Sequence, residues 1–235
     1  MKKLLPLLLI FLCNTGNIFA QDISIGAGIN YGGPLPTQTI DSTDGKPLIG
    51  ITAGVSYSIP LSEHFSFLPG LYYSYRGLDY SQSYTRDTLF TVVINGTSGQ
   101  VPSYYTAYID GSMRLHYLEI PLLIGYSFWK VQMTFGPYFS VLMSAKDSGD
   151  VRVVIGSGAL VDDYNEVYNN KSALRKWDHG FMLGSRAPIY KNLGIEITVS
   201  RSFFSLYLPE KIPDSGQDGV KMYNTYLYFG LVYTL

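Results

Sequence analysis

The sequence contains little charge and almost no cysteine. Only 15% of its 235 residues are charged, with 17 Lys and Arg against 18 Asp and Glu, whereas an ordinary soluble domain carries about 25%. Without a basic excess to neutralise phosphates, we expect no nucleic-acid partner. The single cysteine, Cys13, excludes a disulfide framework within the chain. Aromatic residues are abundant by contrast, at 15% with 21 Tyr, and the fold must accommodate these half-polar rings.

Residues 1–20 have the three parts of a secretory signal peptide: a basic start, an apolar stretch and a polar segment that ends in the small residue Ala20. We expect cleavage after Ala20, which leaves residues 21–235 as a single domain without cysteine. Lipid attachment at Cys13 is an alternative, but the preceding residue is Leu12, and the attachment pattern favours a small residue there.

Beyond residue 20 no stretch is apolar over the roughly eighteen residues that a transmembrane helix requires. Eight segments instead alternate apolar and polar side chains with a period of two, which is typical of β-strands. The clearest is 49–59, where Ile, Ala, Val and Tyr alternate with Gly, Thr and Ser. The eight segments are 23–31, 49–59, 65–76, 114–128, 131–144, 179–189, 193–203 and 223–235.

One face of these segments is continuously apolar, and aromatic residues lie near its ends. The aromatic residues are Tyr31, Tyr57, Phe65, Tyr75, Tyr126, Phe128, Tyr223 and Tyr233. The opposite face is dominated by Gly, Ser and Thr, which suit a narrow lumen better than a soluble surface. The pattern predicts an all-β fold, an eight-stranded up-and-down antiparallel transmembrane β-barrel. A soluble lipocalin-like barrel, with the two faces exchanged, is the structural alternative.

Short and long connections between the segments alternate along the chain. The short ones are 61–64, 129–130 and 190–192, and the long ones are 32–48, 77–113, 147–178 and 205–222. Bacterial outer-membrane barrels place short turns in the periplasm and long loops outside the cell. We therefore expect a multi-pass protein of the bacterial outer membrane, in contact with its lipid. An even number of strands then puts the N- and C-termini in the periplasm.

Several short motifs resemble those of PorT-like outer-membrane β-barrel proteins. They are Leu68-Pro69-Gly70-Leu71-Tyr72-Tyr73-Ser74, Tyr117-Leu118-Glu119-Ile120-Pro121-Leu122-Leu123, Gly136-Pro137-Tyr138, Ser144-Ala145-Lys146 and Gly230-Leu231-Val232-Tyr233. The resemblance spans most of the chain and implies an eight-stranded barrel in an outer membrane. The namesake of the family is associated with protein secretion across that membrane. The resemblance thus implies a structural or interaction role linked to protein secretion or envelope assembly, with envelope or secretion proteins as partners.

Four ionisable residues fall on the predicted lumen face: Arg76, Glu119, Arg186 and Glu196. Unpaired charges in a narrow interior are costly, so we predict an Arg/Glu ion-pair network that plugs the barrel. The turn at 190–192 sets the register of its two strands so that Arg186 lies opposite Glu196. The functional alternative is a narrow pore or transporter component.

The last segment carries a second predicted site, formed by Tyr228, Gly230, Tyr233 and Leu235. Their spacing resembles the signal by which the barrel-assembly machinery recognises its clients, although Leu235 stands where an aromatic residue is usual. The assembly machinery is therefore an expected partner during biogenesis. The alternative interpretation is simply the last strand of a sheet.

We expect no enzyme, metal or cofactor. The histidines His64, His116 and His179 and the serines Ser81, Ser83 and Ser112 show no spacing typical of a nucleophile and its base or of a metal site. A membrane-embedded lipid-modifying enzyme is the second functional alternative. In the long connections, Tyr clusters suit a recognition surface, and Asp41-Ser42-Thr43 and Asp87-Thr88-Leu89 resemble a short bacterial O-glycosylation motif.

Overall fold

The computed structural model describes residues 22–36, 43–94, 96–155, 159–168, 174–207 and 221–235, and the predicted signal peptide lies outside them. The regular elements in these ranges are all strands, and none of the described residues forms a helix long and apolar enough to cross a membrane. The strands are β1 (Asp22–Pro36), β2 (Thr43–Pro47), β3 (Ile49–Pro60), β4 (Phe65–Ile94), β5 (Thr97–Phe128), β6 (Val131–Ile155), β7 (Ala159–Tyr168), β8 (Trp177–Tyr190), β9 (Leu193–Ser202) and β10 (Met222–Thr234).

Eight of these strands form a closed antiparallel ring. Around the ring, β1 is followed by β3, β4, β5, β6, β8, β9 and β10, and β10 pairs again with β1. The two remaining strands lie outside the ring, with β2 paired to β4 and β7 paired to β6. The predicted all-β, eight-stranded up-and-down barrel is therefore confirmed.

The barrel carries its apolar side chains on the outside. Along β10, Leu227, Phe229, Leu231 and Tyr233 are exposed, at 45% to 49%, whereas the side chains between them are buried. A water-soluble barrel would place this face inside, so the alternation favours lipid around the ring. We call the end that carries the turns 61–64, 129–130 and 191–192 the turn end, and the opposite end the hairpin end.

The connections at the hairpin end were predicted as long loops, and this is wrong for most of their described length. β4 and β5 continue as one paired hairpin from Gly77 opposite Arg114 to Ile94 opposite Thr97. β6 likewise continues past residue 147 and pairs with β7. Outside the lipid both faces of a strand can be polar, so the alternating apolar signal disappears. The Thr, Tyr and Val residues of these stretches nevertheless favour strands.

A β-bulge in β6 corrects one predicted position. Tyr117 lies opposite Leu142 and His116 opposite Ser144, which leaves Met143 as the extra residue between them. An extra residue exchanges the two faces of a strand. Accordingly Leu142 is fully buried and Ser144 is exposed, although the alternation upstream predicts Ser144 on the lumen face.

Candidate functional site in the barrel lumen

Arg76 and Glu119 form an ion pair inside the barrel. They lie on the neighbouring strands β4 and β5 and point into the lumen, with 0% and 1% of their surface exposed. The Arg76 Nη2 donates to Glu119 Oε1, and its Nε donates to Ser74 Oγ at 3.0 Å. The hydroxyl of Tyr226 donates to the second carboxylate oxygen of Glu119 at 2.6 Å. Both charges are thus compensated by groups of the protein itself.

Two tyrosine rings flank the Arg76 guanidinium. Its central carbon lies 3.9 Å from the ring centre of Tyr226 and 4.8 Å from that of Tyr117. Cation–π contacts of this kind contribute about 2 kcal/mol when the cation is desolvated. The guanidinium therefore contacts the Glu119 carboxylate on one side and the rings of Tyr117 and Tyr226 on the others, and it fills the middle of the lumen.

Arg186 and Glu196 form the second pair, nearer the turn end. They are directly opposite in the register of β8 and β9, with Arg186 Nε 3.2 Å from Glu196 Oε2. The Nη2 of Arg186 also donates to Ser56 Oγ at 3.3 Å and to the Tyr72 hydroxyl at 3.4 Å. These contacts join strands on opposite sides of the ring, so the pair spans the lumen.

The four predicted residues therefore lie in two ion pairs, and no hydrogen bond among the described residues joins one pair to the other. Between them packs an apolar layer that includes Leu68, Leu123 and Met182. The cavity left in this part of the lumen is only about 40 Å³. A cavity of this size has room for no more than a few water molecules, so side chains fill most of the space between the two pairs.

Asp178 is a further buried ionisable residue, which the sequence interpretation missed. Its Oδ2 accepts hydrogen bonds from Ser202 at 2.9 Å, from Asn224 Nδ2 at 2.9 Å and from the Tyr138 hydroxyl at 3.3 Å. The sequence interpretation assigns it to the end of a long connection. Alternation could have found it, because the flanking Trp177 and His179 lie on the outward face of β8.

Tyrosines fill much of the lumen. The buried ones are Tyr72, Tyr117, Tyr138, Tyr226 and Tyr228. Alternation places all five on the lumen face, although the overall composition of that face led us to expect mainly Gly, Ser and Thr there and most of the tyrosine at the interfaces and in the loops. Small residues and tyrosines are in fact complementary there: a β-carbon on Gly230 would overlap the Tyr228 hydroxyl oxygen. Each glycine of this kind gives a neighbouring ring the space to cross the lumen.

An apolar cap closes the lumen at the hairpin end. It comprises Met113, Leu115, Tyr117, Leu142, Ala145, Leu174 and Leu206, all buried. Leu174 and Leu206 come from the connecting segments, which are tied together by the Arg175 amide donating to the Leu206 carbonyl at 2.7 Å. The Leu206 amide donates in turn to the Met222 carbonyl at 2.7 Å. The cap is therefore built from both strands and connections.

A buried carboxyl group lies beside this cap, beyond the lipid-facing part of the barrel. The Tyr80 hydroxyl donates to Asp147 Oδ1 at 2.8 Å. Burial raises the pKa of Asp147 above its ordinary value, because desolvation disfavours the carboxylate. Burial, with a smaller contribution from Asp147, also raises the pKa of Tyr207 to about 12.

The lumen is open only toward the turn end, as far as the described residues extend. A cavity of about 480 Å³ there is lined by polar and charged groups that include Asp22, Ser24, Lys130 and Lys191. Arg186 also lines it, so the cavity ends at the Arg186 side of the second ion pair. The described lumen thus consists of an open mouth, two ion-pair layers and a closed cap.

The three histidines lie in aromatic clusters at the ends of the lipid-facing surface. His64 is near Tyr126, His116 is hydrogen-bonded to the Tyr73 hydroxyl at 2.5 Å, and the His179 ring centre is 4.6 Å from that of Phe204. Ser112, four residues from His116 on one strand, lies about 13 Å away at the ordinary rise per residue. The structure therefore does not pair these histidines with the candidate serines.

No group of three or more His, Cys, Asp or Glu among the described residues is placed to hold a metal ion. Ser81 donates to the carboxylate of Asp110. Of the two glycosylation motifs, Asp87-Thr88-Leu89 lies in the paired part of β4, and residues 41–42 of the other lie outside the described residues.

The residues of the predicted assembly signal divide between the two faces of β10 and the residue that follows it. Tyr228 and Gly230 are buried in the lumen, whereas Tyr233 and Leu235 are exposed at 49% and 66%. The Leu235 amide donates to the Ile23 carbonyl at 2.8 Å, so the last residue is still tied to β1. An apolar surface at Tyr233 and Leu235 is accessible from outside the barrel.

Comparison with known proteins was made by family, by sequence and by structure. The family model described as "Outer membrane protein beta-barrel domain" matches residues 19–208. No curated protein matches the sequence. Among solved structures, the chain is similar to the attachment invasion locus protein Ail of Yersinia pestis in complex with the heparin analogue sucrose octasulfate, at 10% identity and a TM-score of 0.42 over 92% of this chain and 100% of that chain.

Two further solved structures are similar over 92% of this chain. One is a major outer membrane protein from Thermus thermophilus, with 16% identity, a TM-score of 0.41 and 100% of that chain covered. The other is OprG from Pseudomonas aeruginosa, with 12% identity, a TM-score of 0.32 and 96% of that chain covered. The family model covers most of the ring of strands, and the chain therefore belongs to the family of outer membrane protein beta-barrel domains, whose place is the bacterial outer membrane.

Proposed function

We propose that this protein is a sealed barrel that anchors a protruding strand hairpin in the outer membrane and has a structural or interaction role. The observation that carries the proposal is the blocked lumen, where two ion pairs enclose a cavity of only about 40 Å³. Eight strands give an interior just wide enough for side chains to fill. Conduction and catalysis in the lumen would both need space that these side chains occupy.

The unequal lengths of the connections at the two ends support one orientation of the barrel in the outer membrane. The β4–β5 hairpin continues for 18 paired positions beyond Arg76, from Gly77 opposite Arg114 to Ile94 opposite Thr97, whereas the opposite end has turns of two to four residues. In outer-membrane barrels the longer connections lie outside the cell. We therefore place the hairpin end outside and the turn end, with both chain termini, in the periplasm.

The PorT-like motifs support a more specific proposal for the role of the protein. The segment 117–123 supplies both Tyr117 and Glu119 of the lumen and the buried Leu123, so the motif marks residues that fill the barrel. From the resemblance of these motifs to PorT-like proteins we propose a role linked to protein secretion or envelope assembly, with the hairpin end and the turn end as the two surfaces that partners can reach.

Single-channel recording in planar bilayers tests the seal. The wild-type barrel is expected to give no steady conductance steps. A heat-modifiable gel shift of the barrels in the vesicles that are fused with the bilayer verifies that folded, inserted protein is being recorded. Large, steady steps from the wild-type protein would refute the sealed barrel and favour a narrow pore or transporter component.

Crosslinking in intact envelopes tests the interaction role. A photoreactive residue at the exposed Leu89 of the hairpin, compared with one at the exposed Phe135 on the lipid-facing side, should trap a protein partner at the hairpin only. Equal recovery from both positions, or no recovery from Leu89, would contradict an interaction role for the hairpin.

A further inference from the structure

Two cations stand directly opposite each other on the outer surface of the barrel. Arg114 on β5 and Lys146 on β6 are paired in register, and both side chains are exposed. Opposite residues of an antiparallel pair share one face, with β-carbons about 5 Å apart, and like charges there are destabilising. On its other side Arg114 is opposite Gly77, which leaves that flank without a side chain.

Neither cation has a counter-ion among the described residues, where the ion pairs involve neither Arg114 nor Lys146. The nearest acidic residue by register is Asp79, which is diagonal to Arg114 and directly opposite Ser112 and Lys46. The pair is thus a local concentration of positive charge in a chain whose formal net charge is −1.

The position of the pair relative to the lipid-facing surface points to its ligand. Toward the turn end come first His116 opposite Ser144, and then the exposed apolar pair Ile120 and Phe139. His116 is hydrogen-bonded to the hydroxyl of Tyr73, so this level has the aromatic, half-polar character of a membrane interface. Arg114 and Lys146 lie two residues beyond His116 and Ser144 and away from the apolar surface, a distance of about 7 Å along the strand.

Acidic residues follow two levels beyond the cations on the same outward face. Ser112 is opposite Ser148, and Asp110 is opposite Asp150 on the next outward positions. Along one pair of strands the outer surface therefore changes from apolar to aromatic, then to basic, and then to acidic. A cationic level one step above the aromatic one coincides with the depth of lipid phosphates, while the acidic level above it would repel an anion that approached from solution.

We propose that Arg114 and Lys146 form a binding site for the phosphate of an anionic lipid headgroup in the leaflet at the hairpin end. Arg114 can offer two parallel N–H donors to phosphate oxygens, and Lys146 a mobile point charge beside them. Bound phosphate also removes the repulsion between the two cations. The site requires only that the barrel lies in a membrane, and it is independent of the proposed partner role and of which side the hairpin end faces.

Native mass spectrometry of barrels extracted from vesicles tests the site. The vesicles contain phosphatidylcholine with a minor fraction of phosphatidylglycerol, and the ratio of the two lipids retained per barrel is measured. Because each basic residue near a membrane surface contributes about 1 kcal/mol toward an anionic lipid, the double variant R114Q/K146Q should reduce the preference for phosphatidylglycerol about 30-fold at low salt.

The matched control is the double variant K46Q/R152Q. It removes one Lys and one Arg that are also exposed at the hairpin end but lie further from the lipid-facing surface, and it should retain the wild-type preference. A heat-modifiable gel shift verifies that all three barrels are folded. Equal losses in both variants would show a general charge effect and overturn the site.

A second arm separates lipid from free phosphate. Barrels in zwitterionic vesicles are titrated with inorganic phosphate, and the retained phosphatidylglycerol of anionic vesicles is measured in its presence. Retention that withstands millimolar phosphate supports a lipid ligand. Displacement by inorganic phosphate in the wild type, absent in R114Q/K146Q, would assign the pair to a soluble anion and overturn the lipid proposal.

Discussion

Replacing Glu119 by Gln should destabilise the barrel more than most single substitutions. Arg76 is completely buried, and its Nη1 makes no hydrogen bond to the described residues, so Glu119 supplies the negative charge that compensates it. Gln keeps the size of the side chain and an acceptor for the Tyr226 hydroxyl, and it therefore removes the charge alone. Breaking one partner of a buried ion pair costs about 3–5 kcal/mol of the free energy of unfolding.

A second substitution should recover most of this loss. In the double variant R76M/E119Q neither charge of this ion pair remains, Asp178 keeps its hydrogen bonds to Ser202 and Asn224, and Met fills a similar elongated volume between the two tyrosine rings. Replacing a whole buried pair by groups of similar volume is often neutral or stabilising, although the variant forgoes a cation–π contribution of about 2 kcal/mol. The two substitutions should therefore be strongly non-additive, with a coupling free energy of about 3 kcal/mol.

Urea-induced unfolding in lipid vesicles, followed by tryptophan fluorescence, measures these values. The comparison variant is Glu196→Gln, whose partner Arg186 borders the open cavity of about 480 Å³ and can regain water, so its loss should be smaller. A loss below about 0.5 kcal/mol for Glu119→Gln, the range of ordinary surface substitutions, would refute the reasoning. So would a double variant as unstable as the sum of the two single variants.

Three further predictions concern the cap, the tyrosine packing and pH. Leu115→Ala removes a fully buried side chain of the cap and should lower the free energy of unfolding by about 2–5 kcal/mol in the same assay. The variant should still show no conductance in planar bilayers, because the ion pairs continue to block the lumen. Gly230→Ala places a β-carbon against the Tyr228 hydroxyl oxygen and 2.8 Å from the Ala27 carbonyl oxygen. This overlap should lower the free energy of unfolding by about 1–3 kcal/mol. The control is Gly99→Ala, where nothing lies within 4 Å of the added β-carbon, and it should change the free energy of unfolding by less than about 0.5 kcal/mol. Burial raises the folded-state pKa of Asp147 above the ordinary 3.8, so the folded state binds the proton more tightly than the unfolded state does. The stability that protonated Asp147 contributes is therefore complete below pH 3.8 and falls as the pH rises through the raised pKa. Asp147→Asn should abolish this component of a pH series of unfolding free energies, and an identical series for both proteins would contradict it.

The ring of strands could be predicted because lipid imposes a strict pattern on it. Every segment that faces lipid must alternate, and the two-residue turn at 129–130 fixes the register of β5 and β6, so Phe128 lies opposite Val131 as the pattern requires. The same argument places Arg186 opposite Glu196. Where one face is buried in an apolar solvent, a slip by one residue would expose the wrong face along the whole strand.

The hairpin end could not be predicted in the same way. Beyond the lipid a strand may have two polar faces, so β4 and β5 lose the alternating signal at the point where they leave the membrane, although they continue as strands to Ile94 and from Thr97. The strand β7 is likewise an edge addition outside the ring. Local composition there resembles that of a Tyr- and Ser-rich loop, and only pairing across strands distinguishes the two.

The lumen was harder to predict than the outer surface, because its packing depends on contacts between distant strands. Asp178, Ser202 and Asn224 come from three different strands or their ends and meet in one hydrogen-bond cluster. Alternation can assign each to the inward face, but it contains no information on their height in the barrel. The apolar layer between the two ion pairs escaped prediction for the same reason, and the single predicted network became two pairs.

The bulge at Met143 determines the position of two features at the hairpin end, the buried Asp147 and the outward pair of Arg114 and Lys146. Toward the turn end, the even-numbered residues of β6 face the lumen, as the buried Thr134, Tyr138 and Leu142 do. Without the extra residue this pattern would continue, so Lys146 would enter a closed interior and Asp147 would face outward. With it, Ala145 turns inward to complete the cap, Asp147 is buried beside the cap, and Lys146 turns outward to lie opposite Arg114. A one-residue insertion at the level where the strand leaves the lipid thus keeps an uncompensated cation out of the lumen, and it directs that cation to the depth where lipid phosphates can neutralise it.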